Sequence, residues 1–146
     1  MSLEVHHSSK TVEWSTPQEF FDDLNRTFKF DLDACATHEN ALCDRYFTKE
    51  DDALAHEWKG TIWMNPPYGA EIASFMAKAL DSASKHGSTV VCLVPARTDT
   101  RWWHDYAIKG TVLFLKGRLK FGGAKTDAPF PSAVVIFWGG VLGGAA

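Results

Sequence analysis

The chain is short of what a membrane protein or a secreted scaffold needs. Its longest apolar runs, residues 90–94 and 133–138, fall far below the roughly 20 residues of a bilayer-spanning helix. Residues 1–10 contain His6, His7, Ser8 and Ser9 but no apolar signal core, so secretion is not expected. Cysteine is scarce too: Cys35, Cys43 and Cys92 make an odd number without Cys-x-x-Cys spacing. That argues against a disulfide scaffold and a zinc site, and makes a reducing cytoplasm the expected location. No metal is implied.

What the sequence does supply is a core. Hydrophobic residues make up 45% and aromatics 13% of 146 residues, enough for one folded domain. That domain is expected over residues 12–138, between flexible tails at 1–11 and 139–146. The net charge of −3 is unevenly spread. Residues 97–125 carry seven basic side chains (Arg97, Arg101, Lys109, Lys116, Arg118, Lys120, Lys125) against Asp99 and Asp105, whereas residues 1–96 carry eight basic and fifteen acidic ones. A basic half beside an acidic half suits a protein with one face on phosphates, although a solvated Lys-rich surface looks the same.

The periodicity predicts alternating helices and strands. Thr16-Pro17-Gln18-Glu19 reads as a helix start, with Thr16 as N-cap, Pro17 at the first position and Glu19 closing a capping box. Phe20, Phe21, Leu24 and Phe28 follow at helical spacing. Residues 28–33 read as the first parallel strand, with Phe30 and Leu32 on one face. Ile72, Phe75, Met76, Ala79 and Leu80 outline an amphipathic helix stopped by Gly87. Residues 90–94 are a buried parallel strand. Residues 111–115 and 133–138 are expected to pair antiparallel at one sheet edge, and the Gly- and Pro-rich stretch between them reads as a functional loop.

The most informative stretch is Asn65-Pro66-Pro67-Tyr68, at the end of the apolar run 60–64. Each X-Pro bond holds the preceding residue extended, and neither proline has an N–H for a ladder. The loop must therefore leave the sheet, carrying an amide side chain, an aimed carbonyl at Pro66 and the aromatic face of Tyr68. Two fixed acceptors suit an exocyclic –NH2 on a planar ring: accepting both hydrogens favours a pyramidal nitrogen whose lone pair can meet an electrophile. Tyr68 would stack on the ring, worth roughly 1–3 kcal/mol. The plainer alternative is a Pro-Pro turn with a capping Asn and a core Tyr.

Strand-Asn-Pro-Pro-Tyr resembles motif IV of the S-adenosylmethionine-dependent amino-methyltransferases. Together with Trp14-Ser15-Thr16-Pro17, the segment Phe30-Asp31-Leu32-Asp33-Ala34-Cys35-Ala36, Leu93-Val94-Pro95-Ala96-Arg97-Thr98 and Gly117-Arg118-Leu119-Lys120-Phe121, it looks like the phage-type DNA N6-adenine methyltransferases, the Dam family. The resemblance covers about residues 12–138. It implies a Rossmann-like α/β fold: a mostly parallel twisted sheet, an antiparallel C-terminal hairpin and helices on both faces. The sheet is expected to be abbreviated, since residues 37–59 are too few for two strands and two helices. The implied activity is methyl transfer from S-adenosylmethionine to the N6 amine of adenine in DNA.

The implied catalytic residues are Asn65, Pro66, Pro67 and Tyr68. For the cofactor they are Trp14, Ser15, Thr16 and Pro17, then Asp33, Ala34, Cys35 and Ala36 at a strand's carboxyl end, with Asp33 nearest the methionine amino group. That first motif departs from the usual pattern in having no glycine, and Asp33 can also be read as a helix cap. Asp52 is assigned to the cofactor's adenine or to an exposed acidic turn. Arg97, Thr98, Arg101 and Trp102, then Arg118 and Phe121 in the long loop, are the nucleic-acid candidates, because bases interleaved with aromatics suit phosphates beside a stacked base. Trp102 and Trp103 are not both expected to be buried on one helix face. His104 reads as a surface histidine. A related planar amine (an RNA base or a protein glutamine) and a non-catalytic nucleic-acid-binding module are the alternatives.

Overall fold

The computed structural model describes residues 14–122 and 126–140. The tail expected at 1–11 and all but the first two residues of that expected at 139–146 therefore lie outside the described residues. Six strands form one sheet, β1 (Leu32–Asp33), β2 (Arg45–Tyr46), β3 (Thr61–Met64), β4 (Thr89–Pro95), β5 (Thr111–Phe114) and β6 (Ser132–Phe137), in the order β2-β1-β3-β4-β6-β5. β1 to β4 run parallel, and β6 lies antiparallel between β4 and β5. This is the expected mixed α/β sheet with an antiparallel hairpin at one edge.

Helices cover both faces. α1 (Gln18–Phe28) lays Phe21 against Trp63, Val91, Leu93, Val134 and Ile136. α2 (Ile72–His86) and the five-residue α3 (Arg101–Asp105) cover the other face, where Ile72, Met76 and Ala79 meet Ile62, Met64, Val90 and Cys92. β4 is buried on both sides, which is why it reads as an unbroken apolar run rather than an alternation. α2 ends where expected: Gly87 takes the left-handed conformation at φ 75° and donates its N–H to Ser82. The sheet is abbreviated as predicted. Between β1 and β3 there is one two-residue strand and two single 3₁₀ turns, Lys49–Asp51 and Ala53–Ala55.

Three local expectations are corrected. Thr16 makes no capping bond: α1 starts after Pro17, and the Thr16 hydroxyl is engaged by the side chains of Trp63 in β3 and Asn65 just after it. The first strand is only Leu32–Asp33, because α1 persists to Phe28 and stops with Lys29 left-handed at φ 55°, while Asn25 Oδ1 accepts from the Phe30 N–H at 2.8 Å. Phe30 and Leu32 consequently pack in opposite layers. Trp102 and Trp103 are both buried, since α3 is one turn wedged between α2 and the hairpin, with Trp103 stacked on Phe114 at 6.2 Å.

The sheet also fixes where a ligand can sit. The connection from β1 leads to β2 on one side, and that from β3 leads to β4 on the other. A crevice therefore opens beyond the carboxyl ends of β1 and β3.

Candidate active site

That crevice is a cavity of about 470 Å³, within the range of small-molecule sites. It gathers Trp14, Ser15 and Thr16 from before α1, Asp33, Ala34, Cys35 and Ala36 from the end of β1, and Asn65, Pro66, Pro67 and Tyr68 from the end of β3. Asp52 lines it too, held left-handed at φ 57° between the two 3₁₀ turns. Trp14 and Tyr68, 54 residues apart in sequence, thus line one cavity. Pro17 does not line the cavity; it closes the turn into α1, its carbonyl accepting from the Phe21 N–H at 3.1 Å.

Asp33 is the buried charge of the site, 2% exposed. Its two oxygens accept from the N–H groups of Cys35 (3.3 Å) and Leu42 (3.1 Å). Burial dominates over those bonds and raises its pKa to about 7. Such a carboxyl gains by meeting a cation. Ala34 and Ala36, small and buried, keep the wall beside it low.

Asn65 is fixed by its nitrogen. Nδ2 donates to the Trp14 carbonyl at 2.6 Å and to Thr16 Oγ1 at 3.0 Å. Oδ1 is buried and has no partner among the described residues. A buried acceptor left unmatched costs about 1–3 kcal/mol, so its presence at a cavity is a sign of a donor that arrives from outside. Tyr68 is anchored differently: its hydroxyl donates to the Leu93 carbonyl at 3.1 Å, and the ring packs edge-on against Phe121 and Phe130. Burial pushes its phenol far above the usual tyrosine range, so it stays protonated.

The nucleic-acid candidates divide. Arg97, Thr98, Arg101 and Arg118 are exposed, with the Arg97 guanidinium 5.9 Å from the centre of the Phe130 ring. Trp102 and Phe121 do not fit the role: at 8% and 2% exposure both are core residues. Phe121 instead packs beneath the site, 5.4 Å from Trp14 and 6.3 Å from Tyr68. The described parts of the long loop are tied down through Gly122 N–H to Ser15 (2.8 Å) and Ala128 N–H to Leu119 (2.8 Å). His104 is exposed, as read, with Nε2 at 2.7 Å from the Thr98 carbonyl.

Several lining residues escaped the sequence reading, among them Leu42, Phe47, Lys49 and Glu71. They come from turns without periodicity, so no local signal marks them. Among the described residues no group of three or more His, Cys, Asp or Glu is placed to hold a metal, and no helix is long and apolar enough to cross a membrane.

Comparison with known proteins finds relatives over most of the chain. The chain is 36% identical over 135 residues to the DNA N-6-adenine-methyltransferase of Haemophilus phage HP1 (strain HP1c1), covering 85% of this chain and 77% of that protein. It is 34% identical over 95 residues to the DNA N-6-adenine-methyltransferase of Escherichia phage T1, covering 63% of this chain and 39% of that protein. The pattern of one family, described as DNA N-6-adenine-methyltransferase (Dam), matches residues 5–139. A match over nearly the whole chain places it: the chain belongs to the DNA N-6-adenine-methyltransferase (Dam) family.

Proposed function

We propose that the chain transfers a methyl group from S-adenosylmethionine to the N6 amine of adenine in DNA, with the crevice beyond β1 and β3 as its active site. The observation that carries this reading is Asn65 Oδ1, a buried acceptor without a partner among the described residues, on a side chain that lines the cavity.

The residues fit the cofactor by chemistry. The buried Asp33 carboxyl suits the methionine ammonium, Trp14, Ser15 and Thr16 border the same space, and Asp52 stands where a carboxylate can accept from a ribose or adenine group. When bound, the cofactor supplies an electrophilic methyl on a sulfonium. Everything else falls to the protein. Asn65 Oδ1 and the Pro66 carbonyl accept the two N–H bonds of the amine, Pro67 keeps the loop extended, and Tyr68 stacks on the ring. The amine's surplus proton passes to water after transfer. No covalent intermediate on the protein is required, so catalysis is positioning and electrostatics.

The base must leave the duplex to reach this crevice, at a cost of a few kcal/mol. Arg97, Arg101 and Arg118 hold the flanking phosphates. One domain over residues 12–138 does this, in the cytoplasm. The test is transfer of labelled methyl from S-adenosylmethionine to unmethylated DNA, RNA and a protein mixture, with Asn65→Ala alongside. N6-methyladenine in DNA that vanishes in the variant is the expected result. Label in RNA or protein overturns the substrate, and no label with no cofactor binding leaves a nucleic-acid-binding module.

A further inference from the structure

We infer that the Trp14 backbone and Thr16 act together as a positioning device that holds the Asn65 amide in one of its two flip states, the carbonyl selecting that state and the hydroxyl anchoring it. The inference rests on the reading of Asn65 as the amine's acceptor. A half-turn of an asparagine amide exchanges oxygen and nitrogen with little change of shape, so something must tell the two ends apart.

Here the surroundings do so. The Trp14 carbonyl can only accept, and it lies 2.6 Å from Nδ2. Thr16 Oγ1 accepts the indole N–H of Trp63 at 3.3 Å and keeps a lone pair and its own O–H, so it anchors the amide while the Trp14 carbonyl discriminates between its ends. Trp63 is fully buried in the α1 layer and cannot turn away. In the orientation seen, its N–H and that of Asn65 both reach the Thr16 oxygen, which works there as a double acceptor. A flipped amide would set Oδ1 against the Trp14 carbonyl oxygen with no proton between them. It would also turn an NH2 toward the substrate's own NH2, donor against donor. The orientation seen leaves Oδ1 as the unmatched acceptor. The residues before α1 thus set the geometry of the amine as well as bordering the cofactor space.

Asp at position 65 would keep an acceptor for the amine but would press a second, charged oxygen on the Trp14 carbonyl.

The full chain is compared with Thr16→Val, which keeps shape and loses the hydroxyl, and Thr16→Ser, which keeps the hydroxyl. Three quantities are read: kcat on DNA, cofactor Kd by calorimetry, and exchange of the Asn65 side-chain amide protons by NMR. In Thr16→Val, kcat is expected to fall about tenfold, the equivalent of one hydrogen bond, while cofactor Kd moves by less than about threefold. Its amide protons should exchange faster. Thr16→Ser should restore both rate and slow exchange. A Thr16→Val chain with native kcat and weakened cofactor binding would make Thr16 a cofactor contact only and sink the proposal, as would native exchange. If the native chain methylates no DNA, the functional reading fails, while the exchange pattern still decides whether the amide is locked. Asn65→Asp is the second variant, expected inactive on DNA; full activity would show that the Trp14 carbonyl does not discriminate.

Discussion

The hydroxyl of Tyr68 donates to the carbonyl of Leu93 at 3.1 Å, tying the loop after β3 to the middle of β4. The bond consumes the polar end of the side chain and leaves the ring to the cavity. Tyr68→Phe should therefore cost about 1 kcal/mol of stability, read by urea denaturation, and change kcat/KM little. Tyr68→Ala removes the stacking surface and should lower kcat/KM by roughly 5- to 150-fold, the equivalent of about 1–3 kcal/mol. A Phe variant as impaired as the Ala variant would mean that the hydroxyl, not the ring, meets the substrate.

Asp33 gives the site a pH dependence with a definite sign. Its folded pKa, about 7, lies above the ordinary aspartate value of 3.8. Between those values the folded state holds a proton that the unfolded state has lost, so this group's contribution to stability falls as pH rises through about 7. Binding a cationic ammonium selects the ionised form. Cofactor affinity should therefore rise about tenfold per pH unit below about 7 and level off above it, with proton release that calorimetry in buffers of different ionisation enthalpy will detect. Asp33→Asn should bind weakly and flatten the profile. An unchanged slope in that variant would assign the titration elsewhere.

How much of this could be read in advance depended on how local the cause was. Asn65-Pro66-Pro67-Tyr68 was legible because proline fixes its own φ and its neighbour's conformation whatever the tertiary surroundings. The α2 face was legible because Ile72, Met76 and Ala79 repeat at helical spacing against a single layer. Thr16 was not. Thr-Pro-Gln-Glu satisfies the local grammar of a capping box, yet the hydroxyl meets the side chains of Trp63 and Asn65, 47 and 49 residues away. Trp102 and Phe121 failed for a related reason: an aromatic beside arginine or lysine reads alike on a DNA face and on the rim of a core. Only the sheet decides between them.

Phe121 offers a clean separation of those two readings. It is buried against Trp14, Tyr68 and Phe130. Phe121→Ala should cost about 3–5 kcal/mol of stability, and Phe121→Leu much less. Trp102→Phe should likewise act on stability rather than on DNA affinity, since Trp102 lies in the opposite core layer. DNA binding that drops in a fully folded Phe121→Leu chain would return the residue to the nucleic-acid face.

Arg97 and Arg101 carry the remaining test, because they are exposed where Trp102 is not. Arg97 leaves β4 and lies over the Phe130 ring, within the aromatic cluster that includes Tyr68. Arg101 opens α3 a few residues on. Contacts with phosphates release counterions, so each one adds about 0.9 to the slope of log affinity against log salt. Arg97→Gln with Arg101→Gln should lower that slope by up to about 1.8 and weaken DNA binding most at low salt, with melting temperature and cofactor affinity unchanged. The glutamines keep bulk and polarity, so a loss confined to the salt-dependent part isolates charge from packing. An unchanged slope would move the phosphate track onto Lys116, Arg118 and Lys120, leaving Arg97 only to cover the aromatic floor of the site.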